Sequence, residues 1–289
     1  MLSGILSFFQ GILMSSYVYV CIIAALAILV AGCVADQPAA TNAAAVDGDA
    51  AALLIRLQSD ITAALEDLDD RLAYAAYDLR ETDLSGDDAH AILANLSATD
   101  PSIVDCTVSD ADATIITVEP AAYRGVEDTE IQNQSHVRHI LATKRPMMSE
   151  MITVAEDIPA TVIIAPIFTN ESRFTGFASI VFRPEDLIAG VAGPAANGTP
   201  YQVMVIQTDG RVLYDTDPTQ IGKMTFEDPL YADYPDLLDV ARRVAGERYG
   251  TAAYGFAADG GQAVQKEITW TTAGLHGVEW RVAVIRAVE

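Results

Sequence analysis

Arg124 and His136 are the residues best suited to holding a small molecule by its polar groups. The Arg124 guanidinium can grip a carboxylate through two parallel hydrogen bonds. Tyr123 stands beside it in the loop segment TVEPAAYRG, residues 117–125. The acids Glu119 and Glu127 flank the same segment and offer Arg124 a structural ion pair instead. His136 can donate, accept or stack in a site, or lie on a helix surface. Gln134 and Ser149 add adaptable polar contacts. Tyr123, Arg124, Gln134, His136 and Ser149 are therefore the candidate ligand-binding set. His136 and His139 stand three apart, as two metal ligands on one helix would, but no third ligand accompanies them. Glu66, Asp67, Asp69 and Asp70 point in several directions on one helix without a histidine, and read as a solvated face. No metal site and no cofactor is expected. The chain has no nucleophile elbow, P-loop, dinucleotide fingerprint, HExxH zinc motif or recognisable pair of catalytic carboxylates, so an enzyme is not expected.

The 289 residues suffice for one large or two small domains, and 51% of them are hydrophobic, enough for a sizeable core. A net charge of −23 excludes a phosphate-binding role, which needs a basic surface. The acidity reads as a soluble exterior. Cys21, Cys33 and Cys106 offer no disulfide pair, because Cys21 lies in an apolar segment.

These residues must be positioned by a mixed α+β framework. From about residue 50 to 80, Leu54, Leu57, Ile61, Leu65, Leu68, Leu72, Ala75 and Leu79 recur at threes and fours, the pattern of one helical face. At about 1.5 Å per residue such a rod is on the order of 45 Å long, enough to pass along two stacked small domains. Asp47 or Asp49 can cap it. A shorter helix is expected over 87–96. Strands are expected at 103–109 and 114–119, then a helix over 131–143, a hairpin of 161–168 with 174–182, and a short helix over 184–188. In YQVMVIQTDGRVLYD, residues 201–215, Asp209-Gly210 between alternating apolar runs marks a second hairpin. A helix from about Pro235 and strands at 250–256, 263–272 and 277–286 follow. Trp270 and Trp280 are expected to face one another across the last hairpin as core residues. Tyr214, Asp215 and Asp217 can shape the turn or line a second pocket.

The string DGRVLYD at 209–215, with DP at 217–218 and IG at 221–222, resembles the signature of Cache domains, the extracellular PAS-like sensor modules. The first half, with AP at 165–166 and Gly176, resembles the membrane-distal part of a double Cache protein. TVEPAAYRG and TKRPMMSEM resemble archaeal surface lipoproteins of this type. The likeness covers most of residues 47–289. It implies a long helix bracing two stacked antiparallel-sheet domains, the distal one at 100–196 and the proximal one at 197–289. It also implies a small organic ligand held between the distal sheet and its covering segments. By motif position Gln134 falls where relatives carry Arg, and His136 where an aromatic is common. The acid often found on the last distal strand is replaced by Ser179 or Val181, so the partner for an α-ammonium is missing there. Arg124 lies in the family's ligand-facing loop, which points to a small organic acid or amino-acid-like metabolite.

The apolar run 17–32 ends in Val30-Ala31-Gly32-Cys33, which resembles a lipobox, with Cys33 as the lipid attachment point. The alternative is an uncleaved membrane helix, because no Lys or Arg precedes Arg56. Residues 34–49 read as a tether. Four of the five asparagines, Asn95, Asn133, Asn170 and Asn197, stand in N-x-S/T sequons, the pattern of a glycosylated surface protein. No HAMP-like pair or kinase region follows the last strand. The expectation is a membrane-tethered sensing and ligand-binding protein facing outside, without its own output domain. It would hand its signal or ligand to a membrane partner. The alternative is a structural or partner-binding surface lipoprotein with a vestigial pocket.

Overall fold

The computed structural model describes residues 47–257 and 264–288. Cys33, the apolar segment before it and tether residues 34–46 lie outside them. Helix α1 spans Gly48–Leu79. It starts where Asp47 caps it, the Asp47 carboxylate accepting from the Asp49 amide at 3.1 Å. Leu57, Ile61, Leu65, Leu68, Leu72 and Leu79 are all fully buried, so the apolar stripe is the core-facing side. The opposite face carries the i,i+4 pairs Arg56–Asp60 and Arg71–Asp67. Among the described residues no helix is long and apolar enough to cross a membrane.

Helix α2, Asp87–Ser97, leads into the first sheet. That sheet contains β1 (Ile103–Asp110), β2 (Ile115–Glu119), β3 (Met147–Met148), β4 (Ile152–Thr153), β5 (Pro159–Phe168) and β6 (Phe174–Phe182). Its order is β2-β1-β6-β5-β3, with β4 also on β5. A 3-10 turn at Ala121–Val126 and helix α3, Ser135–Thr143, cross between β2 and β3. Helix α4, Pro184–Ala196, leads to the second sheet. The second sheet holds β7 (Gln202–Gln207), β8 (Val212–Asp215), β9 (Gly250–Phe256), β10 (Val264–Leu275) and β11 (Val278–Ala287), in the order β8-β7-β11-β10-β9. Helix α5, Pro235–Gly246, lies between β8 and β9.

Strand alternation gives each sheet an inner and an outer face. Cys106, Ile163 and Ile180 of the first sheet and Val205, Trp280 and Val282 of the second join α1, α2 and α4 in one apolar cluster. The rod is fastened to the second sheet by polar bonds as well. Gln58 Nε2 donates to the Thr272 carbonyl at 2.8 Å, and Asp47 accepts from the Tyr201 hydroxyl and from Arg286, both at 2.7 Å. On the outer faces, Val162, Ile164 and Phe177 pack under Val137 and Ile140 of α3. Ile206, Ile268 and Ile285 pack under Leu237 and Val244 of α5.

Three local expectations are corrected. Helix α3 begins at Ser135, not at 131, because Ile131–Gln134 forms a turn closed by the Gln134 amide on the Ile131 carbonyl. Helix α4 runs on to Ala196, since Ala192 and Ala195 are buried against the common core despite a loop-like composition. Trp270 and Trp280 do not face one another. Trp270 pairs with Ala283 and Trp280 with Ala273, which puts the two rings on opposite faces of the sheet. Trp280 joins the cluster under α1, and Trp270 the one under α5.

Gly250 shows how tightly the second sheet is packed, because a Cβ there would clash with the indole ring of Trp270. Gly250→Ala is expected to cost about 1–3 kcal/mol by overpacking. Denaturant unfolding followed by tryptophan fluorescence reads this directly. An unchanged midpoint would mean that Trp270 is not held against β9.

Candidate functional site

The outer face of the first sheet carries a polar row where an apolar one is the norm. On β1, Asp105, Thr107 and Ser109 alternate inward beneath α3, and all three are buried. On β6, Ser179 stands directly opposite Thr107, and Val181 opposite Asp105. Thr107, Ser179 and Val181 line a cavity of about 20 Å³ together with Gln134, His136 and Glu156. That is space for roughly one water. Its remaining walls include Ile115, Ile131, Val154 and Val162.

Several polar atoms here lack partners. Neither Asp105 oxygen, nor His136 Nδ1, nor Ser109 Oγ, nor Glu156 Oε2 has a hydrogen bond among the described residues. Buried groups of this kind are normally satisfied, and leaving one unpaired costs about 1–3 kcal/mol. Burial, with the neighbouring Glu156 carboxyl adding to it, pushes Asp105 up to about 8. Glu156 is raised as well, again by burial first. The two acids stand close enough to shift one another, and both are held above the ordinary carboxyl range. Burial drives His136 down to about 4, so its ring is neutral. No lysine or arginine lines the cavity.

The five candidate residues separate. Gln134 is the N-cap residue of α3 but makes no side-chain cap bond, which leaves its amide free at the cavity wall beside His136. Tyr123 is half-buried and packs against the apolar cluster under α3. Arg124 is 44% exposed and pairs with Glu119, whose carboxylate also takes His90 Nδ1 at 2.8 Å. Burial would raise Glu119, but hydrogen bonds from Arg124 and His90 outweigh it and hold the group below its ordinary value. Arg124 thus makes the ion pair that Glu119 offered it, outside the cavity wall. Ser149 Oγ donates to the Glu150 carbonyl at 2.6 Å and accepts from the Val162 amide at 3.0 Å, so it fastens the segment before β4 to β5. Lys144 donates to the Leu141 carbonyl at the end of α3. No group of three metal-ligating side chains occurs among the described residues. Asn95, Asn133, Asn170 and Asn197 are all exposed.

Asp105 and Glu156 were not singled out by the sequence. The only trace of Asp105 is the alternation Asp105-Thr107-Ser109 in a strand whose other face is Cys106 and Val108. Which face lay under a cover was not visible until the register with β6 was known.

A helix-braced pair of antiparallel sheets with a covered polar cavity is the fold of PAS-like, Cache-type sensor domains. Residues 63–184 match the family described as HK/GC/Chemotaxis protein-like, sensor domain. Among solved structures, an extracellular ligand binding receptor from Desulfohalobium retbaense superposes with a TM-score of 0.70 at 27% identity. The match covers 83% of this chain but only 40% of that one. The ligand-binding domain of the Pseudomonas aeruginosa amino acid chemoreceptor PctB, in complex with L-glutamine, gives 0.56 at 14% identity, covering 83% of this chain and 90% of its own. That of the Pseudomonas fluorescens chemoreceptor CtaA, in complex with L-isoleucine, gives 0.57 at 13%, covering 80% and 87%. No curated protein matches the chain. Residues 63–184 thus resemble a sensor domain of the chemoreceptor and histidine kinase type, and the fold around them is that of extracellular ligand-binding domains.

Proposed function

We propose that this sensor domain takes a small amine-bearing metabolite of the amino-acid class in the cavity over the first sheet. One observation carries the reading. Glu156 and the hydroxyl-bearing Thr107 and Ser179 line a cavity that no lysine or arginine lines, and the buried Asp105 lies behind that wall, close enough to Glu156 for the two acids to shift one another. An ammonium would supply the missing donors and the opposite charge, whereas a lone carboxylate would meet like charge. Asp105, opposite Val181, stands one strand away from the position where the resemblance puts an acid. The amino acids held by the PctB and CtaA domains fit the same chemistry. Anything larger than a water requires α3 and residues 154–156 to move outward, and that motion is what a sensor can transmit.

In this reading residues 100–196 are the distal, ligand-binding module and 197–289 the proximal one. The chain faces outside, tethered through Cys33 or the apolar segment before it, and passes its signal to a membrane partner. The four sequon asparagines carry glycans. A partner-binding surface protein is the second reading, favoured by Ile55, Tyr74 and Tyr77, which stand more than half exposed on α1.

A thermal-shift screen of amino acids, simple amines and amine-free organic acids tests the proposal. Amines are expected to raise the melting temperature and amine-free acids to leave it unchanged. Arg124→Ala is expected to preserve the response. A response confined to organic acids and abolished by Arg124→Ala would move the site to the 117–125 loop.

A further inference from the structure

A second cavity, larger than the one over the first sheet, lies elsewhere. A cavity of about 110 Å³ opens on the outer face of the second sheet, beneath α5. It is several times the size of the one over the first sheet and has room for a handful of waters. Ile206, Ile268 and Ile285 form its floor, and Leu237, Val240 and Ala241 its roof. The roof is fixed in place: buried Arg281 donates to the carbonyls of Val244, Ala245 and Glu247 and so closes the C-terminus of α5.

One end of this apolar space is charged with both signs. Lys266 reaches in from β10 and Asp215 from β8. Lys266 Nζ donates to Gln202 Oε1 at 2.9 Å, and among the described residues no carboxylate lies within ion-pair distance of it. Asp215 accepts from the Asp217 amide at 2.8 Å. Burial pushes its carboxyl up to about 6. Asp217, by contrast, is occupied in the turn, accepting from the Thr219 amide and hydroxyl and from Gln220. Tyr231 and Gln220 bond to each other at 2.6 Å, so Lys266 and Asp215 are the charged groups facing the space without an ion-pair partner. Two opposite charges, both half-buried, face one apolar space and are not paired with each other, an arrangement that a ligand bringing the matching charges would complete.

We propose that this cavity is a second binding site, for a zwitterion with a branched apolar body of about the size of leucine. Its carboxylate meets Lys266, its ammonium meets Asp215, and its aliphatic part fills the space between the isoleucine floor and α5. The amine reading of the first sheet's cavity is independent of this site, which rests on different residues.

The test is calorimetric titration of the Asp105→Asn protein, in which the first cavity keeps Glu156 but has lost the Asp105 carboxylate beside it. The probes are L-leucine, isoamylamine, which lacks the carboxylate, and 4-methylpentanoate, which lacks the ammonium. L-leucine is expected to bind with a stoichiometry of one, and each truncated probe about tenfold or more weaker, the loss of one charge-assisted contact. Lys266→Met is expected to weaken leucine and spare isoamylamine. Asp215→Asn is expected to weaken leucine and spare 4-methylpentanoate. Ala241→Phe, which fills the space, should abolish binding while far-UV circular dichroism stays native. No heat with L-leucine in the Asp105→Asn protein overturns the proposal. So does leucine binding that survives both Lys266→Met and Ala241→Phe.

Discussion

Asp105→Asn is expected to make the free protein more stable at neutral and alkaline pH and, at the same time, to abolish amine binding in the first cavity. The folded protein holds the Asp105 proton far more tightly than an unfolded chain does, with a value of about 8 against an ordinary 3.8. The sign follows from linkage. Where the native state binds more protons than the unfolded one, stability falls as pH rises. The stabilisation tied to this proton is complete below the ordinary carboxyl range and is lost as pH climbs through about 8. An asparagine has the same shape, cannot ionise and can donate to Glu156. It should therefore gain roughly 2–4 kcal/mol over wild type at pH 8, less than the full shift implies because Glu156 titrates with it. Denaturant titrations at pH 5 and pH 8 check this. Wild type should lose stability between them and the variant should change much less. The same proton governs the ligand. An ammonium entering beside Asp105 displaces it, so amine affinity should rise between pH 6 and pH 8, with proton release visible as a buffer-dependent heat. An affinity that falls over that range would mean that the ligand is an anion.

Leu68→Ala is expected to cost about 3–5 kcal/mol, the range for a leucine removed from a core that cannot collapse around the gap. Leu68 is fully buried in the cluster that joins α1 to the inner faces of both sheets. The size of the loss matters less than its form. Because one rod is common to both sheets, the variant should still unfold in a single transition, with near-ultraviolet circular dichroism and tryptophan fluorescence coinciding. Trp280 reports on the shared cluster and Trp270 on the one under α5. Two separated transitions would show that the sheets are held independently and that α1 braces only one of them.

The rod was legible because a repeat of threes and fours over eight apolar positions has one physical meaning. The hairpin at Asp209-Gly210 was legible for a similar reason, since the backbone at Gly210 takes a positive φ of 95° that few other residues accept. What stayed hidden depended on strand register. Asp105 in IVDCTVSD looks like an outward residue of a half-buried strand, and only its place opposite Val181, under α3, makes it a buried acid. The two tryptophans were misjudged for the same cause, because an offset of three in the β10–β11 pairing sends them to opposite faces. Helix α4 was underestimated because Gly190, Gly193 and Pro194 argue against a helix locally, while buried Ala192 and Ala195 hold it by tertiary packing. Of the candidate ligand residues, Gln134 and His136 reach the cavity. Arg124 and Ser149 are taken up by Glu119 and by backbone groups, partners that a string of letters does not place in space.

The most direct test of the account is a crystal structure of the protein grown with the amine that stabilises it most. The account predicts density for the ligand beneath α3, its ammonium against Asp105 and within hydrogen-bonding distance of Ser179, with α3 displaced outward. A stabilising ligand found only outside that cavity, with Asp105 and His136 undisturbed, would contradict it.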